Sequence, residues 1–187
     1  MLQIYRNGEN GEIIRGIGLS AFIHNGGYYQ TIIGVFEDGK INCWGLVNFE
    51  EFKNQVARGW VVTEVPKGAM IGCHHLYYGN STLEFCIEID EFVKEVEDTI
   101  DLLQGKQTVA KTCIQAFARF LTLPTEENKS SLRAAYNAIP KHLRIYVLGD
   151  MGGEDYALRW CIENRDISQE ILERFKKDYE WVLERYN

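Results

Sequence analysis

Cys73, His74 and His75 stand side by side and are the sequence's densest group of metal-ligating and nucleophilic side chains. Neutral imidazole and thiolate are good zinc ligands. A cysteine with a histidine in hydrogen-bond reach can also act as a nucleophile, provided a third group orients that histidine. Adjacent strand residues point to opposite faces, so at most Cys73 and His75 share one. Further ligands would have to come from afar, with His24 and Cys43 as candidates. No second cluster supplies them, so the pattern favours strand packing, and neither a metal nor a cofactor is expected. No Ser or Cys lies in a strand–turn–helix elbow of the G-x-S-x-G kind.

Two other features invite chemistry. The run Asp150-Met151-Gly152-Gly153-Glu154-Asp155 precedes a helical pattern and superficially suggests a phosphate loop. It lacks G-x-x-x-x-G-K-[ST], and its three carboxylates would repel phosphate. They also do not follow the EF-hand spacing. The aromatics Tyr28, Tyr29, Trp44, Trp60, Tyr77 and Tyr78 all fall in the first half of the chain. Aromatics pack sheets first and anchor partners only when exposed. His74, His75, Tyr77, Tyr78 and Asn80 gather near one hairpin, which makes that hairpin the preferred surface for a ligand or partner.

The elements that must position these residues follow from glycine usage. Thirteen of 17 glycines precede residue 89. Glycine marks tight turns, and its scarcity favours uninterrupted helices. The expected fold is therefore α+β: an antiparallel β-rich N-terminal unit over residues 1–88 with one short helix, then an all-α unit over 89–187 packed against it. Asn7-Gly8, Asn10-Gly11, Asn25-Gly26 and Asp38-Gly39 are hairpin turns. They separate strands Leu2–Arg6, an apolar strand ending at His24, Tyr28–Phe36 and Lys40–Val47. Tyr28–Phe36 alternates poorly, which predicts a central strand covered on both faces. Asn48 caps a helix with Glu51 in capping-box position, and Gly59 ends it. Strands at Trp60–Thr63, Ala69–Tyr78 and Thr82–Ile89 complete the half, with Gly79-Asn80 as a turn.

Helices are expected at Glu91–Gln104 behind an Asp90 cap, at Thr108–Leu123, and from Glu126 to the residues before Pro140. A short helix over Pro140–Gly149 and another over Glu154–Asn164 follow. One last helix, Ser168–Tyr186, carries Ile171, Leu172, Phe175, Tyr179, Val182, Leu183 and Tyr186 on one face.

Charge narrows the partners. The chain has 187 residues with 20 Lys plus Arg against 27 Asp plus Glu, a net charge of −7. The deficit is spread along the chain, with no basic patch for a phosphate backbone, so nucleic acid is not an expected partner. No apolar run approaches the length of a membrane span or a signal peptide. Five cysteines at wide spacings, with no C-x-x-C, read as buried free thiols in a reducing compartment. The expected location is the cytoplasm.

One block resembles a known group. Asp38-Gly39, Cys43-Trp44-Gly45, Asn48 to Phe52, Gly59-Trp60-Val61-Val62, Pro66 and Ala69 are similar to a family of uncharacterised bacterial proteins with a domain of unknown function. Segment Ile139-Pro140 to Asp150-Met151 resembles helical companions of that domain. The resemblance covers about half of the chain. It implies a bacterial source and a shared fold, and it transfers no activity. Two classes of function remain. One is a non-catalytic binding or interaction protein with a protein partner, such as an immunity-like or accessory factor. The other is a small hydrolase or metal-dependent enzyme using the Cys73–His75 strand. Partner identity and oligomeric state are open at this level.

Overall fold

A computed structural model of the protein describes residues 2–73, 76–78, 87–148, 155–164 and 167–186. They form two compact units, residues 1–106 and 107–187, each with its own core.

The first unit is built on β1 (Leu2–Asn7), β2 (Ile13–His24) and β3 (Tyr28–Phe36), joined by the hairpins that the glycine turns demand. Gly26 and Gly39 both take positive φ there, at 69° and 78°. β3 then pairs with β4 (Ile41–Asn42), and β4 with β5 (Leu46–Val47). β6 (Val61–Val62) joins the edge of β2, opposite Phe22 and Ile23. β7 (Ile71–Cys73) runs parallel to β3, with Tyr28 opposite Ile71 and Tyr29 opposite Gly72, and pairs with β8 (Leu76–Tyr78). The sheet is antiparallel except for that β3–β7 pair, which a crossover connection through α1 (Phe49–Ala57) and β6 makes parallel.

Period-two alternation assigns one face to the core. Ile17, Ala21 and Ile23 of β2 lie on it with Ile33 and Val35 of β3. α1 and α2 (Ile89–Leu103) cover this face through Phe52, Phe92 and Val96, all buried, with the Phe52 and Phe92 rings 6.4 Å apart. The capping box of α1 forms as expected, with Asn48 and Glu51 exchanging side-chain-to-backbone bonds of 2.9 and 3.0 Å. Among the described residues, no helix of this unit lies on the opposite face. At one end it is closed by its own side chains instead. A Cβ at Gly16 would lie 2.6 Å from Phe36 Cδ1, and one at Gly34 would lie 2.9 Å from Ile4 Cδ1. Glycine there lets Phe36 and Ile4 lie flat on the strands, and the Arg6 guanidinium sits 5.0 Å above the Phe36 ring.

Several expectations need correction. β3 is central, yet Gln30 and Ile32 are exposed, so its two faces are both covered only toward Phe36. The Lys40–Val47 strand is broken by a tight turn at Cys43–Gly45. Ala69–Tyr78 is a hairpin of two short strands. Ile89 begins α2 rather than ending a strand, and Asp90 lies within its first turn behind Glu88. The first compact unit, residues 1–106, includes α2. The reason is that α2 buries Phe92 and Val96 against β2 and β3.

The second unit contains α3 (Val109–Thr122), α4 (Glu126–Ala138), a 3-10 helix (Lys141–Tyr146), α5 (Tyr156–Glu163), α6 (Gln169–Asp178) and α7 (Glu180–Tyr186). Thr108, Thr125 and Ser168 cap α3, α4 and α6 by accepting the N–H of the third residue on. Phe117, Leu121, Leu132, Leu158, Leu172 and Val182 are among its fully buried or nearly buried core residues. The last expected helix is two. Tyr179 leaves helical geometry (φ −118°, ψ 33°), and its ring meets Phe117 edge-on at 5.5 Å.

Candidate functional site

Of the residues singled out for chemistry, His74, His75 and Asn80 lie outside the described residues. Cys73, Tyr77 and Tyr78 are described by their backbone alone, in β7 and β8. The register still places this hairpin. Tyr29, Gly72 and Tyr77 form one row across β3, β7 and β8, and Tyr28, Ile71 and Tyr78 form the next. The hairpin is thus the direct continuation of the two tyrosines that begin β3.

Beside it stands an aromatic corner. The β4–β5 turn is three residues long, a length that normally carries glycine in the left-handed conformation. Here Trp44 takes that conformation, at φ 66°, and it is the one non-glycine residue with positive φ among the described residues. Trp44 is also 51% exposed. The turn is held from both sides. Cys43 is buried in the core, its N–H donates to Gly45 O at 3.1 Å, and Trp60 Nε1 donates to Cys43 O at 3.0 Å. The Trp44 ring lies 5.2 Å from Tyr29 and 6.2 Å, edge-on, from Trp60. The Arg58 guanidinium sits 5.8 Å from the Trp60 ring. His24 and Tyr28 stack at 4.5 Å near the same end of the sheet.

Two costs fall on Trp44 together. A left-handed backbone with a bulky side chain costs roughly 1–2 kcal/mol. Leaving a large apolar side chain half in water forfeits part of the roughly 1.5–3 kcal/mol its burial would supply. Folding alone does not select this choice, because glycine is free of strain at that position. Sequence reading found the Cys-Trp-Gly block and the aromatic enrichment. It missed the left-handed tryptophan, because positive φ at a residue with a bulky side chain leaves no mark in the sequence.

Elsewhere the described chemistry is structural. Burial raises the Cys43 thiol pKa, and it pushes the Cys113 and Cys161 thiols up to about 12. All three remain protonated near neutral pH and are poor nucleophiles. Asp155, read as one of three loop carboxylates, is in fact buried and accepts a 2.8 Å bond from the Tyr136 hydroxyl. Burial first, and then this bond, push Tyr136 up to about 12. Arg159 pairs with Asp155 at 3.2 Å, and Arg144 lies 4.9 Å from the Tyr136 ring while donating to the carbonyls of Ile139 and Asn137. This cluster ties α4 to the start of α5. A groove of about 410 Å³ lies between α1, β6 and α2, with Glu64, Glu88 and Asp90 in its wall. Among the described residues, no three His, Cys, Asp or Glu side chains are grouped to hold a metal ion. No described helix is long and apolar enough to cross a membrane.

Comparison with known proteins follows the same division as the two units. Residues 3–107 match the family model "Domain of unknown function (DUF7638)", and residues 108–185 match "Domain of unknown function (DUF7639)". No curated protein matches the chain, and no solved structure does. A model that spans the sheet, both of its helices and the aromatic corner settles the relationship, and the chain belongs to the DUF7638 family.

Proposed function

We propose that the chain is a non-catalytic binding protein whose partner is another protein. Its contact surface is the corner of Trp44, Tyr29 and Trp60, continued along the β7–β8 hairpin through His74, His75, Tyr77, Tyr78 and Asn80. One observation carries this reading: a tryptophan is held exposed in a left-handed turn by a buried cysteine and a second tryptophan. Rigid, half-exposed aromatics with a polar edge are the usual anchors of protein interfaces. The acidic chain, with a net charge of −7, disfavours nucleic acid and suits a cytosolic partner of neutral or basic surface.

Trp44→Gly tests this. Relief of left-handed strain offsets lost ring contacts, so the variant is expected to keep its stability to within about 1 kcal/mol. Partners captured by the wild-type protein from its native extract, and identified by mass spectrometry, should be lost by the variant. A variant destabilised by more than about 2 kcal/mol would make Trp44 a packing residue. A stable variant that retains the same partners would equally overturn the proposal.

A further inference from the structure

β1 is an open edge with none of the usual safeguards. Among the described residues it pairs with β2 alone. Which of its backbone groups face outward follows from the ladder. The Gly8 N–H donates to Glu12 O across the β1–β2 hairpin. Hydrogen-bonded pairs alternate in an antiparallel ladder, so Arg6, Ile4 and Leu2 turn their groups toward Ile14, Gly16 and Gly18. Gln3, Tyr5 and Asn7 then turn theirs away from the sheet. The Asn7 carbonyl already accepts from Arg6. Among the described residues, Gln3 and Tyr5 therefore present two open N–H and two open C=O groups.

Natural edges are blunted by charge, proline or a bulge. β1 has no proline and no bulge, and its one charge, Arg6, is paired with Asp38. Nearby Arg15 pairs with Glu37 at 3.0 Å, and bonds from Arg15 hold the Glu37 carboxyl below its ordinary range. Arg6 and Arg15 are thus each neutralised within the chain. The apolar side chains around this rim are not covered. Leu2, Tyr5, Ile13, Ile32 and Leu102 are all exposed, and Tyr5 and Leu102 share a groove of about 510 Å³ between β1 and the end of α2.

We infer that β1 pairs antiparallel with β1 of a second copy of this chain, giving a two-fold dimer with one sheet continuous across both. A second copy fits because the outward groups of Gln3 and Tyr5 are self-complementary about Ile4 and the one charge on the strand, Arg6, is already paired with Asp38. The register follows from the open groups. Gln3 pairs with Tyr5 of the partner and Tyr5 with its Gln3, which makes four hydrogen bonds and sets Ile4 against Ile4 on the dyad. Leu2 and Ile4 of both copies then meet on one face, and the exposed Tyr5 rings cross toward the grooves on the other. Arg6 falls opposite Leu2, so no like charges face each other. The interface is isologous, as a two-fold dimer requires.

Sedimentation of the full chain over a concentration series tests this, with Tyr5→Pro, Tyr5→Lys, Ile4→Cys and Trp44→Gly beside the wild type. Tyr5→Pro deletes an outward N–H and leaves the β1–β2 ladder intact, which an edge strand tolerates. Tyr5→Lys puts a charge on the rim without touching the backbone. Each is expected to weaken the dimer by at least about tenfold, a loss of roughly 1.4 kcal/mol, with circular dichroism unchanged. Ile4→Cys places two thiols across a non-hydrogen-bonded pair, whose Cα separation of about 4.5 Å is within disulfide range. Mild oxidation of that variant should yield a disulfide-linked dimer, with the cross-link mapped by peptide analysis to the substituted position in both copies. A wild-type chain that stays monomeric throughout would overturn the inference. So would a dimer that a folded Tyr5→Lys variant leaves at full strength, or one that Trp44→Gly abolishes instead.

Discussion

Truncating Phe175 to alanine removes a buried aromatic of the helical unit that three other rings surround. Its side chain is 6% exposed, and three rings meet it edge-on: Trp160 at 5.9 Å, Tyr179 at 6.4 Å and Tyr156 at 6.5 Å. Burial of a large apolar side chain accounts for about 1.5–3 kcal/mol, and each well-placed aromatic pair adds about 0.5–1.5 kcal/mol. The Tyr156 contact adds least, because Tyr156 is itself exposed. The remaining pairs share one cavity and do not sum independently. The expected loss is therefore about 3–5 kcal/mol, the range seen for truncated core phenylalanines. Urea unfolding should be followed by circular dichroism and tryptophan fluorescence, since Trp44 and Trp60 report on the sheet unit and Trp160 and Trp181 on the helical one. If the two units unfold separately, only the helical transition should shift, with its slope retained. A loss below about 1 kcal/mol would refute burial of Phe175 in the core, being well under the range for such a site. A mutant that changed from dimer to monomer while remaining folded would place the α6 stripe at a subunit interface and contradict both this packing and the β1 dimer.

Asn48→Ala removes the acceptor of the Glu51 N–H and should cost about 0.5–2 kcal/mol, while Asn48→Ser recovers most of it; equal stability of both variants and the parent would remove the cap from the argument. The native state holds Cys113 and Cys161 protonated up to about pH 12 against an ordinary thiol value of 9.0, so the unfolded chain releases protons first as pH rises. Stability is thus fully present below pH 9 and falls between there and about 12, each thiol steepening the loss by up to about 1.4 kcal/mol per pH unit. Thiol reagents should leave both residues unmodified in the native state, and a flat alkaline limb would contradict the burial.

Much of the secondary structure was legible because the physics that sets it is local. Asn-Gly and Asp-Gly turns, the Asn48–Glu51 box and the Phe92–Leu103 stripe are decided within a few residues of chain. The α+β class follows from the same signals, since glycine-marked hairpins and uninterrupted apolar stripes exclude each other along the chain. So does the burial of Cys43, Cys113 and Cys161, whose neighbours in sequence are apolar.

What tertiary structure decided depends on partners distant in sequence. α2 belongs with the sheet because Phe92 and Val96 find Phe52, Ile33 and Val35 across it, and no signal in its own fifteen residues names that partner. The break at Tyr179 serves a ring contact with Phe117, 62 positions earlier. Asp155 is buried because Tyr136 of another helix supplies a hydroxyl, whereas in the sequence it is one acid among three. The aromatic corner belongs to this second kind. Tyr29, Trp44 and Trp60 are spread over 32 positions, and only the crossing of β3, the β4–β5 turn and the end of α1 gathers them on one surface. Periodicity reports which side chains must leave water; which of them find cover, and which are held out in it, is settled by contacts that close over long stretches of chain.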